Sequence, residues 1–176
     1  MRPPRLDLAD AVDEHVRDGS CVWIGNFGAQ LFAVGRELIA QRRRDLHVVI
    51  ASGGLLLDDL LREGVVAEVT FSHCWSPVGP RPTRSFRRAW EEGSDVTWHE
   101  LPLGALSAAL GAAAAGVPFA PVVVSSGTGY LEEDWSSGLL AQVESPFGEA
   151  TVIAALAPDV AFVHAAIADD VGAGDA

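Results

Sequence analysis

The feature that most constrains this chain is a regular alternation. Short apolar runs of strand length, each ending in glycine or small reactive residues, are separated by stretches of helical period. Residues 21–24 (Cys-Val-Trp-Ile) stop at Gly25, and residues 46–51 stop at Ser52-Gly53-Gly54. Residues 65–71 run into Ser72-His73-Cys74, and residues 96–99 alternate with period two before Glu100. Residues 121–125 form a fifth run, and residues 151–156 and 160–164 read as two more. Between them, residues 7–17, 31–43, 55–62, 83–92 and 103–115 carry helical spacing, with Thr83 as the cap of its helix. Strands alternating with helices predict an α/β fold: an open, mostly parallel sheet with helices on both faces. Val48-Val-Ile50 and Val122-Val-Val124 suit strands buried on both sides.

Length and composition narrow the function. With 176 residues, 49% of them hydrophobic and 20% charged, the expectation is one domain over residues 1–176. Twenty-four acids against 12 bases give a net charge of -12, which argues against nucleic acid as a partner. All 12 bases are Arg, so Schiff-base chemistry and a phosphate-loop lysine are excluded. Cys21 and Cys74 have no metal-ligand spacing, and no metal site is read. The N-terminus lacks the apolar stretch of a secretory signal, and the alanine-rich residues 105–115 are too short to cross a bilayer. The reading is a soluble, cytoplasmic protein. Residues 132–138 suit a surface loop, and residues 167–176 fade into small and acidic residues directly after a strand. An uncovered strand leaves an edge and apolar surface, so more polypeptide or a second subunit is expected to complete the fold.

In open parallel sheets ligands bind beyond the C-terminal strand ends. Gly25-Asn26-Phe27-Gly28 enters a helix there, and its glycines let main-chain N–H groups converge on an oxyanion; the plain alternative is a glycine-rich turn. Glu100 follows the fourth strand and can serve as general base or as nucleophile toward an acyl carbon, or merely as a first-turn helix acid. His73 and Cys74 point to opposite faces of a continuous strand, so they read as a core His and a small buried Cys rather than a dyad. His164 reads as structural, and His99 has the same two-face relation to Glu100. Residues 125–129 (Ser-Ser-Gly-Thr-Gly) look like a phosphate cradle without either nucleotide-binding spacing. Arg84, Arg87 and Arg88 share a helix face, fit to hold a carboxylate or phosphate, or to pair with Glu91, Glu92 and Asp95. The substrate-binding candidates are Ser52, Gly53, Gly54, His73, Arg84, Arg87, Arg88, Gly127 and Thr128.

An ordered series of segments resembles the α subunit of the class I coenzyme A transferase family, in particular its glutaconate CoA-transferase branch. That branch includes a hydrolase that opens a cyclic diketo acyl-CoA in steroid ring degradation. Residues 18–28 are similar to its opening glycine-rich stretch, and residues 44–54 to its next strand and glycines. Residues 85–93, His99-Glu100 and 112–121 resemble its middle, and residues 145–149, 157–165 and 168–169 its later part. The resemblance implies a heterodimer or heterotetramer with a β-type subunit, coenzyme A as substrate or acyl carrier, and an acyl-CoA site between the two. In the transferases a glutamate of the β-type partner forms an acyl anhydride and then a glutamyl thioester. The α-type glycine loop, here residues 25–28, supplies oxyanion amides. No β-type Ser-Glu-Asn-Gly motif occurs in this chain, so that nucleophile would come from the partner. In the hydrolase branch an α-subunit glutamate matching Glu100 is thought to act. Two departures, an early C-terminus and Asn26 where the family often has Gly, admit two alternatives. One is a diverged enzyme of specialised biosynthesis that cyclises or dehydrates a tethered or free substrate. The other is a non-catalytic partner of a β-type subunit.

Overall fold

In the computed structural model, residues 4–25, 29–76, 81–124, 128–131, 135–136, 138–169, 171 and 174–175 are described. The first strand, β1 (Cys21–Ile24), is preceded by α1 (Leu8–His15), which starts where the Asp7 carboxylate accepts from the Asp10 amide at 2.9 Å. The chain then alternates through α2 (Phe32–Ala40), β2 (Leu46–Ser52), α3 (Gly54–Arg62) and β3 (Val66–His73). It continues through α4 (Arg84–Glu91), β4 (Thr97–Glu100) and α5 (Leu103–Ala114). Three strands follow, β5 (Phe119–Val122), β6 (Leu140–Ser145) and β7 (Gly148–Ala154), then β8 (Val160–Phe162). The short strands β9 (Ile167–Ala168) and β10 (Gly174–Asp175) pair antiparallel.

Five strands form one parallel sheet in the order β4-β3-β2-β1-β8. The α/β class and the parallel sheet agree with the sequence reading. The two faces are covered differently. Val48 and Ile50 of β2 pack with Val12, Leu38, Leu57 and Phe86 of α1–α4. On the other face Val49 and Ala51 meet Leu106 and Ala109 of α5, and also Leu140 and Ile153.

Those last two residues belong to a second, three-stranded antiparallel sheet, β5-β7-β6. This corrects the expectation that residues 121–125 and 151–156 extend the parallel sheet. β6 and β7 form a hairpin that closes from Ser145 to Gly148, where φ is +113° and glycine is required. Apart from Leu140, the residues of β6 are exposed. Its apolar signal is therefore weak, which is why the strand is absent from the sequence reading.

Candidate functional site

The C-terminal ends of the parallel strands line up as expected. β4 ends at Glu100, β3 at His73, β2 at Ser52, and Gly25 follows β1. Register pairs Ser52 with His73 and Phe71 with Glu100. At ~4.8 Å per strand, Glu100 and Gly25 stand about 14 Å apart along this edge. They are neighbours in the same row without being in contact.

Glu100 sits where α4 leans over the edge strand. Phe86, Trp90 and Trp98 interlock there with Phe71, with Phe86–Trp98 and Trp90–Trp98 ring centres 5.2 and 5.4 Å apart and edge-on. This aromatic cluster is absent from the sequence reading. Its signal is the spacing of Phe86 and Trp90 on one helix face, with Trp98 two residues before Glu100. A cavity of about 690 Å³ opens beside it, lined by Pro82, Phe86, Arg87, Trp90, Glu91, Glu100 and Trp135. Glu100 is half-buried in that wall. Burial pushes its carboxyl above the ordinary carboxylate range, and the Tyr130 hydroxyl, donating to Oε1 at 3.4 Å, partly opposes the push. Burial likewise raises Tyr130, and the neighbouring carboxylate adds to it. Tyr130 packs edge-on against Trp135, with ring centres 5.7 Å apart. Gly129, at φ +82°, lets that indole lie within 3.0 Å of where a Cβ would stand.

α4 itself is seated by Asp58 of α3, whose carboxylate accepts from the amide of Phe86 at 3.0 Å and from that of Ser85. Thr83, expected as the capping side chain, caps nothing; its hydroxyl lies 3.2 Å from Cys74 Sγ instead. Arg84, Arg87 and Arg88 project from the exposed side of α4 and line a second hollow of about 700 Å³ with Arg81, Asp58 and Leu55. Arg87 pairs with Glu91 at 2.8 Å and Arg88 with Glu92 at 2.9 Å. Arg87 borders both hollows.

The remaining candidates divide. Gly25 donates its amide to Phe162 O at 2.9 Å, and an added Cβ would meet that oxygen at 3.1 Å. Gly53 packs tightly: a Cβ there would come within 2.6 Å of the Leu57 side chain, which would have to shift. Gly54 opens α3 at φ +52°. His73 is exposed at the end of β3, not in the core, because the strand stops there; Cys74 is buried, and burial raises its thiol to about 11. His164 is exposed beyond β8. Thr128 lies in the stretch leading to Tyr130. Asn26, Phe27, Gly28, Ser125, Ser126 and Gly127 lie outside the described residues.

A family model described as coenzyme A transferase matches residues 5–173. The chain is 29% identical to one of the subunits of 3-oxoadipate CoA-transferase from Pseudomonas knackmussii, over 95% of this chain and 60% of that protein. It is 32% identical to the cholesterol ring-cleaving hydrolase IpdA subunit of Rhodococcus jostii, over 97% of this chain and 59% of that protein. Among solved structures it is similar to a cysteine-to-serine variant of the decarboxylase AibA/AibB, with a TM-score of 0.83, 30% identity, and 97% and 65% of the two chains covered. Glutaconate coenzyme A-transferase from Acidaminococcus fermentans shares the fold, with a TM-score of 0.83 at 24% identity over 96% and 58% of the two chains. The chain therefore spans about three fifths of the length of these curated relatives.

Proposed function

Since the chain belongs to the coenzyme A transferase family, we propose that it serves as one subunit of a cytoplasmic, heteromeric acyl-CoA-processing enzyme with a β-type partner. Its reaction is CoA transfer or a related hydrolysis of a thioester or C–C bond. The observation that carries this reading is the Glu100 carboxyl, half-buried in an aromatic cavity with a raised proton affinity. Such a carboxylate is a stronger base than a solvated one, suited to taking a proton from water or substrate. The Gly25 amide is committed to Phe162 O, so within the glycine-rich turn the main-chain amides of residues 26–28 are left to act on the developing oxyanion. Arg84, Arg87 and Arg88 offer an anion site for substrate carboxylate or for the phosphates of coenzyme A.

The spacing of these groups supports one division of labour. With Gly25 about 14 Å from Glu100 along the row of strand ends, a thioester carbonyl at the first turn leaves Glu100 facing a more distant carbon of the acyl group. That arrangement suits hydrolysis at a carbon removed from the thioester. It accords with the name of one relative, a ring-cleaving hydrolase.

The purified heteromer separates the outcomes when CoA exchange and acyl hydrolysis are measured for wild type and Glu100→Gln. Loss of hydrolysis by a factor of roughly 10²–10⁴ with exchange retained supports the division. Loss of both places Glu100 at the thioester itself. Equal activity in both proteins removes Glu100 from the chemistry and leaves this chain as a structural partner.

A further inference from the structure

The sheet face opposite the aromatic cavity carries a polar cluster, part-buried around His99, that the proposed chemistry does not use. His99 of β4 is buried. Its Nε2 lies 2.7 Å from the Glu68 carboxylate, and its Nδ1 lies 3.0 Å from the carbonyl oxygen of Ser136. A carbonyl oxygen only accepts, so Nδ1 is the atom that carries hydrogen toward Ser136.

We propose that His99, tethered to Glu68 through Nε2, is a positioning residue that fixes the Trp135 wall beside Glu100. The link runs through consecutive residues. Nδ1–H of His99 donates to Ser136 O, and the amide of Glu100 donates to Trp135 O at 2.9 Å. Two neighbouring residues of the edge strand therefore pin two neighbouring residues of the facing segment. Trp135 lines the cavity and supports Tyr130, whose hydroxyl reaches the Glu100 carboxyl. Displacing Ser136 therefore disturbs the wall and the hydrogen bond on Glu100 together.

His47 lies with its ring centre 5.9 Å from that of His99, and its Nε2 lies 2.8 Å from the Thr70 hydroxyl. Burial pushes His47 toward the neutral form, against the pull of Glu68. The Cys21 thiol, raised to about 11 by burial and by Asp159 and Glu68, stays protonated. The helix covering this face, α5, brings no ionisable side chain.

The test uses the full chain, with its partner where one is needed, labelled with ¹⁵N at histidine. The His99 signal, assigned by its loss in His99→Asn, should show Nδ1 carrying hydrogen; a bare Nδ1 overturns the proposal. Exchange of the Glu100 amide should speed at least tenfold in His99→Phe, which has no donor for Ser136 O. It should stay slow in His99→Asn, whose side-chain amide can donate in place of Nδ1. Unchanged protection in His99→Phe, or equal loss in His99→Asn, also overturns it. The state of Nδ1 in the unsubstituted protein decides the matter even where His99→Phe fails to fold. The effect on turnover rests on reading Glu100 as the acting carboxylate. Should Glu100→Gln prove fully active, that reading fails while the exchange result stands.

Discussion

At the scale of single residues, the site turns on two opposed influences on one carboxyl. Burial raises Glu100, and the Tyr130 hydroxyl favours its charged form. Tyr130→Phe removes the opposing influence without changing the ring. Glu100 should then hold its proton to higher pH, and a rate that needs the carboxylate should show its acidic limb moved upward; an unmoved limb means the hydroxyl is silent. The same shift has a stability consequence. A carboxyl whose folded proton affinity exceeds its unfolded one binds more protons in the folded state. Its favourable contribution is complete below the ordinary value of 4.5 and fades as pH rises through the raised value. Glu100→Gln removes that penalty, so it should raise the melting temperature at pH 7 and change it little at pH 4. Sequence alone places Glu100 at a strand end, because strand ends are legible from apolar runs. It leaves Tyr130 unseen, because a partner 30 positions away has no periodic signature.

At the scale of elements, the cavity depends on how α4 is held. The sequence marks α4 well: helical spacing covers residues 83–92, and the helix runs over residues 84–91. Its cap is less legible, because Thr83 is the residue type that usually caps from within the chain's own turn. The capping carboxylate comes instead from Asp58, on a neighbouring helix and 28 residues before Phe86. Asp58 is buried, so removing it leaves two amides without their acceptor. Asp58→Ala should cost about 1–2 kcal/mol in denaturant unfolding. It should also weaken substrate binding, because Phe86 and Trp90 ride on the same helix. Asp58→Asn keeps an acceptor oxygen and should recover most of the loss. A stability change below about 0.5 kcal/mol in Asp58→Ala would show that water replaces the cap.

At the scale of the whole molecule, what the sequence hides is the unlike covering of the two sheet faces. Four helices lie on one side; α5 and an antiparallel sheet lie on the other. Residues 121–125 and 151–156 have strand character, but apolar runs do not state which sheet they join or in what direction. The two cores share β2, since Val48 and Ile50 belong to one and Val49 and Ala51 to the other. A strand buried on both sides cannot lose one covering layer and remain stable, because half its apolar surface would then meet water. The molecule should therefore unfold as one unit. Leu57→Ala on the helical face and Leu106→Ala on the opposite face should each cost about 2–5 kcal/mol and shift one common midpoint. Circular dichroism and tryptophan fluorescence should trace coincident curves, because Trp23 packs with one core and Trp98 with the other. If Leu106→Ala instead produced an earlier, separate transition with the fluorescence of Trp98 unchanged, the antiparallel layer would be an independent unit docked on a self-sufficient sheet.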